Sequence, residues 1–273
     1  MDPLSQGGEA SSARREALDA IQSARAARQW WDRDSAAYLD EHANFLDGAL
    51  VWGPEGLTEL ETRLLGLDLD GLRVLEVGCG AAAGSAWLAS QGAFAVGLDV
   101  SGAMLAAAAT RDEHVPLVHA SGDRLPFVPG SFDAVVSAHG ALAFMGDLHA
   151  TLREVRRVLR DGGLLVFSVT HPVRWAFPDD PGIAGLTATM SYFDRRAYVE
   201  RDPAGNPVYV EHHRTMGDTV MTLVETGFSI EGLIEPEWPS DNEQTWGAWS
   251  PLRGGLLPGT AIWSARAINS STG

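Results

Sequence analysis

The chain has 273 residues, 45% hydrophobic and 21% charged, which is enough apolar material for a sizeable core and excludes a wholly disordered protein. Its 20 basic residues stand against 36 acidic ones for a net charge of −16, and every basic residue is arginine; this excludes lysine chemistry and argues against a nucleic-acid partner. The single cysteine, Cys79, excludes an internal disulfide and cysteine-held zinc or iron–sulfur sites, and no apolar run approaches the roughly 18 residues of a membrane span.

Residues 1–12 are rich in Ser, Gly and Gln, lack the apolar stretch of a signal peptide, and read as a disordered tail, as do residues 269–273. A cytoplasmic protein is the expectation. Ala13 to His42 is helix-friendly and free of proline, and Leu57, Leu60, Leu64 and Leu65 predict a second helix over Gly56 to Leu67. Residues 13–70 thus read as an N-terminal helical cap.

From Leu72 strands and helices alternate. Leu72–Gly78, Phe94–Asp99, Val115–His119, Asp133–Ala138 and Leu164–Thr170 read as strands. Ser85–Gln91, a helix capped by Ser101, and Asp147–Arg160 fall between them, the last with Leu148, Leu152, Val155 and Leu159 on one face and Asp161-Gly-Gly163 as its stop. This rhythm predicts an α/β fold with a doubly wound, mostly parallel sheet, its first part spanning residues 71–171.

The rhythm then breaks. Pro172–Met216 is a long insertion in which Ala188–Val199 and Val208–Thr215 flank Asp202-Pro-Ala-Gly-Asn-Pro207, predicting a hairpin and a lid over a site. Residues 217–268 return to the core with a helix at Gly217–Thr226 and strands at Phe228–Ile234 and Gly259–Ala267.

The most informative segment is Glu76-Val-Gly78-Cys79-Gly80. Glycines on a strand-to-helix turn let a ligand approach the backbone beneath the positive end of the next helix. Gly78-x-Gly80-x-x-Ala83, with Asp99 ending the next strand, also satisfies the dinucleotide fingerprint, so a NAD-dependent oxidoreductase is one reading. Glu76 weighs against it, because a carboxylate two residues before the first glycine repels a pyrophosphate. A sulfonium cofactor carrying an amino group gains from that charge instead.

Taken together, Glu76-x-Gly78-Cys-Gly80, Gly97-Leu-Asp-Val-Ser101, Leu125-Pro-Phe127, Ser131-Phe-Asp133 and Leu159-Arg-Asp-Gly-Gly163 resemble class I S-adenosylmethionine-dependent methyltransferases, in particular their small-molecule (quinone and natural-product) branch. The resemblance is good over about residues 72–170. It implies a seven-stranded Rossmann-like methyltransferase sheet with the last strand antiparallel. It also implies that Glu76, Gly78, Cys79 and Gly80 hold the methionine part of the cofactor, that Asp99 accepts the ribose hydroxyls, and that Val100 and Met104 pack on the adenine. Ala138, ending the fourth strand, joins this set. The family's usual adenine-binding aspartate falls at Ser121, so either Asp123 or the backbone around Gly122 takes its place. A second departure is Ala82, where many relatives carry glycine.

Three histidines are candidate catalytic groups. His171 follows the fifth strand and opens the insertion, so it is the first candidate for general base or acceptor anchor; His139 ends the fourth strand, and His213 comes third. His42, His114, His119 and His149 read as surface or structural. His212 and His213 are adjacent and face opposite ways in a strand, so they make no metal pair, and no metal site is expected. Aromatic residues gather before residue 53 (Trp30, Trp31, Tyr38, Trp52) and in the late segments (Trp175, Tyr192, Trp238, Trp246, Trp249). They predict a secondary core or a water-excluding pocket for a small, largely apolar or aromatic acceptor. The reading favoured is methyl transfer from S-adenosylmethionine to that acceptor. Its rivals are the oxidoreductase and a non-catalytic protein that binds S-adenosylmethionine.

Overall fold

In a computed structural model the chain is described over residues 13–111 and 115–269. The tails expected at residues 1–12 and 270–273, and the role expected of His114, lie outside the described residues.

The N-terminal region departs from the single helix expected. Arg14–Glu16 forms a short strand, β1, followed by the long helix α1 (Ala20–Leu46), whose start is capped by Asp19 accepting the Gln22 amide at 2.8 Å. The helix expected over Gly56–Leu67 is one turn, α2 (Glu59–Thr62). A Thr58/Glu61 capping box starts it; it stops because Arg63 is left-handed and the buried Glu59 carboxylate bonds the Leu65 amide at 2.7 Å, turning the chain back.

The core then follows as β2 (Arg73–Val77), α3 (Ala83–Ser90), β3 (Phe94–Asp99), α4 (Gly102–Ala108), β4 (Leu117–His119) and β5 (Phe132–Ser137). Next come α5 (Leu148–Val158) and β6 (Leu159–Thr170). Asp161-Gly-Gly163 lies inside β6 rather than ending α5. Leu159 already pairs with Phe132, and the irregularity at Phe132/Ala134 absorbs the glycines. After the insertion come α6 (Met216–Glu225), β9 (Phe228–Ile234), α7 (Pro251–Gly254) and β10 (Thr260–Ala267).

Seven of these strands form one sheet in the order β4-β3-β2-β5-β6-β10-β9, in which β10 runs antiparallel to both neighbours. Period-two alternation builds a core on each face. Leu75, Val77, Val135 and Leu165 pack with Leu152 and Val155 of α5 and Leu223 of α6. Val74, Ala134, Val136 and Val166 pack with Leu88 of α3 and with Leu50 and Trp52 before α2. The strand order reverses beside β2, so a crevice opens at the carboxyl ends of β2, β3 and β5, where ligands of doubly wound sheets bind.

The insertion contributes the expected hairpin in shorter form, β7 (Ala197–Arg201) and β8 (Pro207–Glu211) around a turn held by Asp202 and Asn206. Residues 188–196 are irregular chain with one turn at 192–193, not strand. Strand β1 completes a three-stranded sheet on β7, and Ala26 of α1 packs on Val199 and Val210. The N-terminal cap and the insertion therefore form one structure over the crevice. No helix among the described residues is long and apolar enough to cross a membrane.

Candidate active site

The turn after β2 is shaped for close approach. Gly78 and Gly80 have φ of +75° and +52°, and a Cβ on Gly78 would meet the Ala141 Cβ at 2.3 Å. Only glycine fits at Gly78. Ala82, where a glycine is expected, is itself left-handed with φ of 58° and caps α3 without a side-chain bond.

Three cavities meet here. The first lies over the ends of β2 and β3 and is lined by Asp99, Val100, Met104, Gly122, Asp123 and Met145. Asp99 is buried; one carboxylate oxygen accepts the Gly80 amide and the other the Ser101 amide, each at 2.8 Å. A carboxylate has about four acceptor positions, so these amides leave room for hydroxyl donors. Burial raises the Asp99 pKa, and the amides of Ser101 and Gly80 oppose that rise. Both Asp123 and Gly122 border this cavity, and Met145, which sequence reading missed, closes it so tightly that a Cβ on Gly122 would lie 2.5 Å from its Cε.

The second cavity runs along the glycine turn, lined by Glu76, Cys79, Gly80, Leu50, Asp47 and Arg111. Glu76 is buried and accepts the Ser85 hydroxyl. Burial pushes its pKa up to about 7, with the charge of Asp99 adding to the rise and the Ser85 bonds opposing it. Cys79 is a packing residue: burial raises its thiol pKa well above the ordinary value. Arg111, ion-paired with Asp47, brings a positive charge to the same wall. Residues of these two cavities fit S-adenosylmethionine: a cradle that side chains would fill, a carboxylate with open acceptor positions, and opposite charges for its amino and carboxylate groups.

The third cavity lies between α1, the insertion and the loop before α7. Trp30, Trp31, Trp52, Phe144, Tyr209 and Trp246 give it aromatic walls. The Trp246 and Trp249 backbones bond each other reciprocally at 2.9 Å around a left-handed Gly247, a tight turn that thrusts the Trp246 indole inward. The imidazoles of His42 and His139 both lie nearly parallel to that indole, at 3.7 Å and 5.7 Å between ring centroids. His42, expected to be structural, thus belongs to the cavity wall.

Among the described residues, only Tyr38 and His139 border all three cavities. His139 is left-handed with φ of 53°, a conformation uncommon for a non-glycine residue and found disproportionately at functional sites. Its Nε2 is buried with no hydrogen-bond partner among the described residues, while the ring bonds the Val51 backbone; burial pulls its pKa down to about 4. Ala138 lines two of the cavities beside it.

The other two candidate histidines do not reach this junction. His171 borders none of the three cavities: its Nδ1 accepts the Val173 amide at 3.1 Å, capping a short 3₁₀ turn, and its Nε2 meets Glu235 at 2.8 Å. With both nitrogens engaged it fastens the start of the insertion to the end of β9. His213 is buried against Trp175 and Tyr192, its Nε2 2.6 Å from the Tyr192 carbonyl oxygen. His212 instead ties β8 to α1 through Ser23 at 2.9 Å.

This architecture, with an antiparallel strand inserted beside β6 and a glycine turn over a carboxylate-ended β3, defines a class I S-adenosylmethionine-dependent methyltransferase fold. Comparison with known proteins agrees. Residues 75–167 match a methyltransferase domain family. Among curated relatives, the demethylmenaquinone methyltransferase of Mycolicibacterium vanbaalenii is 47% identical over 94 residues, covering 34% of this chain and 40% of that protein. That of Corynebacterium glutamicum strain R is 44% identical over 145 residues, covering 51% and 61%. The chain thus spans about two-fifths to three-fifths of the length of these relatives. Of solved structures, an S-adenosylmethionine-dependent methyltransferase from Mesorhizobium loti aligns with a TM-score of 0.57 and 29% identity, over 78% of this chain and 100% of that one. A Burkholderia thailandensis 1,6-didemethyltoxoflavin N1-methyltransferase, solved with S-adenosylhomocysteine, shares the fold at a TM-score of 0.58 and 15% identity, over 94% and 93%. The chain thus has the fold of S-adenosylmethionine-dependent methyltransferases, residues 75–167 match a methyltransferase domain, and the residues of the first two cavities fit S-adenosylmethionine as the cofactor.

Proposed function

We propose that this chain transfers a methyl group from S-adenosylmethionine to a small aromatic acceptor held in the third cavity. The observation that carries the reading is the junction at Tyr38 and His139, which opens at once to both cofactor cavities and to the aromatic one. In-line displacement needs donor and acceptor to meet end to end with water excluded, and that junction is where two such ligands would touch.

The cofactor supplies an electrophilic methyl on a positively charged sulfur. Everything else falls to the protein. Asp99 takes the ribose hydroxyls on its open acceptor positions, Asp123 and the backbone of Gly122 face the adenine, and Val100, Met104 and Met145 enclose the ring. Glu76 receives the amino group, Arg111 the carboxylate, and the Cys79 and Gly80 backbone lines the path between them. The aromatic faces of Tyr38 and Trp31 favour positive charge at the sulfur. His139 is neutral at any pH above its low pKa. The Val51 bond orients its other nitrogen, leaving the Nε2 lone pair to receive the proton an acceptor O–H or N–H must shed. The oxidoreductase reading is not favoured, because Glu76 is buried where a pyrophosphate would lie.

The test is acceptor-dependent formation of S-adenosylhomocysteine, beside calorimetric titrations of S-adenosylmethionine and NADH. Binding of S-adenosylmethionine with turnover on an aromatic acceptor is expected. Tighter binding of NADH points to the oxidoreductase, and cofactor binding with no turnover across phenols, quinols and amines points to a binding protein.

A further inference from the structure

Strand β6 is apolar from Leu164 to Val169 except at Ser168, which is fully buried yet borders the third cavity. A buried hydroxyl is costly unless it is bonded. The bond here goes to the exit of the neighbouring strand. β5 ends at Ser137, and both His139 and Gly140 then turn left-handed, with φ of 53° and 80°. Their two amides land on one residue: His139 donates to the Ser168 hydroxyl at 3.0 Å and Gly140 to the Ser168 carbonyl at 3.1 Å. Gly140 takes the backbone acceptor, so the hydroxyl supplies the one that the His139 amide needs. That amide has no other acceptor among the described residues.

Glycine adopts a positive φ without a penalty, whereas a residue with a Cβ keeps one only where its surroundings hold it there. If residue 139 relaxed to another region, the Cα–Cβ bond would swing and carry the imidazole away from the junction of the cavities. The ring has two constraints of its own, the bond with the Val51 backbone and the nearly parallel Trp246 indole at 5.7 Å between centroids. These orient the ring. The Ser168 hydroxyl fixes the backbone from which it springs.

We propose that Ser168 is a positioning residue for methyl transfer: its hydroxyl holds His139 left-handed and so keeps the open Nε2 where the cofactor and acceptor cavities meet. This rests on the reading of His139 as proton acceptor and names the residue on which that role depends. The effect is a large one for a single hydroxyl, because displacing a catalytic group by about 1 Å can cost about 10²-fold in rate.

The experiment compares Ser168→Ala with Ser168→Thr, which keeps the hydroxyl, by two readouts on the full chain. The first needs no acceptor: magnetic resonance of isotope-labelled histidine reads the ring nitrogens, and the His139 signals are those missing from His139→Ala. The unaltered protein and Ser168→Thr are expected to show a single tautomer, its proton on the nitrogen bonded to Val51, and Ser168→Ala a mixture of both. The second is turnover on an acceptor found among phenols, quinols and amines. Ser168→Ala is expected to lower kcat about 10-fold to 100-fold, while acceptor KM and S-adenosylhomocysteine affinity stay within threefold and Ser168→Thr restores kcat. Should Ser168→Ala fail to fold, Ser168→Cys, whose thiol is only a weak acceptor, takes its place with the same expectations. A His139 ring spectrum unchanged by loss of the hydroxyl overturns the inference. So does a rise in acceptor KM at constant kcat, which would set Ser168 against the acceptor, or a kcat within threefold of the unaltered protein where His139→Ala is impaired. If His139→Ala keeps full turnover, the proton-acceptor reading fails instead, and the ring spectrum alone decides whether Ser168 holds His139.

Discussion

The carboxylate of Asp32, midway along α1, accepts the hydroxyl of Ser101 at 2.8 Å and the amide of Ala103 at 3.1 Å. Ser101 is the residue whose own amide holds Asp99, at 2.8 Å. The helix that carries Trp31 and Tyr38 is thereby latched to the start of α4, at a serine two residues from the carboxylate proposed to bind ribose. The same serine thus joins α1 to the loop that holds Asp99. Asp32→Ala is expected to weaken S-adenosylhomocysteine binding about threefold to tenfold, and to speed proteolytic cleavage within α1, with little loss of global stability because the carboxylate is largely exposed. Unchanged affinity and unchanged cleavage would remove the latch.

Asp99 itself should matter more. Each hydrogen bond from a ribose hydroxyl to a carboxylate is charge-assisted and contributes roughly 1.5–3 kcal/mol. Asp99→Ala is therefore expected to weaken cofactor binding by well over tenfold. The free Gly80 and Ser101 amides also lose their acceptor, so a drop in melting temperature should accompany the loss. Calorimetry with S-adenosylhomocysteine reads the first effect and thermal unfolding the second; an affinity within threefold of the unaltered protein contradicts the assignment.

Glu76 gives a pH dependence with a defined sign. Burial holds its pKa at about 7, so without ligand the group is mostly protonated below that pH. An ammonium favours the ionised form. Cofactor affinity is expected to fall, approaching tenfold per unit, as pH drops below about 7. For the ligand-free fold the sign reverses. A carboxylate whose pKa rises from 4.5 to about 7 contributes stability that is fully present below 4.5 and is lost as pH rises through about 7. Glu76→Gln should flatten both profiles. A flat binding profile in the unaltered protein between pH 5.5 and pH 8 on the order of one pKa unit either side of the transition would show that Glu76 does not face the amino group.

The parts legible in the sequence are those with local causes. The strand ends at Val77, Asp99 and Ser137 lie within one residue of those the short apolar runs predict, and the cap at Ser101 follows from a hydroxyl beside the helix it starts. The glycine turn came with them, while the seven-stranded sheet with its last strand antiparallel was implied by the family resemblance. Hidden features depend on partners far along the chain. Arg14–Glu16 has no strand periodicity and becomes a strand only because Ala197–Val199 offers an edge. Asp32 and Ser101 stand 69 residues apart. The Trp246 turn has a local signal in Gly247, but nothing local says that its indole meets His139. His171 was expected at a strand end beside the site; it is at the strand end but borders none of the three cavities, and its diversion to Glu235, 64 residues on, could not be read.

That diversion separates two histidines that look alike in the sequence. His139 faces all three cavities with an Nε2 that has no partner among the described residues, whereas both nitrogens of His171 are engaged in holding the insertion. If His139 receives the proton, His139→Ala is expected to lower turnover roughly 10²–10⁴-fold, with cofactor affinity changed less than threefold. Its low pKa adds a second signature. The acid limb of the turnover profile should fall near pH 4, where the imidazole becomes charged, and not near the ordinary value of 6.5. His171→Ala should instead lose a cap and a buried bond to a carboxylate. That costs about 1–3 kcal/mol of stability and lowers the melting temperature, and turnover at a temperature where the variant is folded should stay within about tenfold. Rescue by His171→Gln, whose amide can still bond Glu235, is expected for stability. If His171→Ala silences turnover without destabilising the fold, while His139→Ala leaves turnover intact, the two roles are reversed.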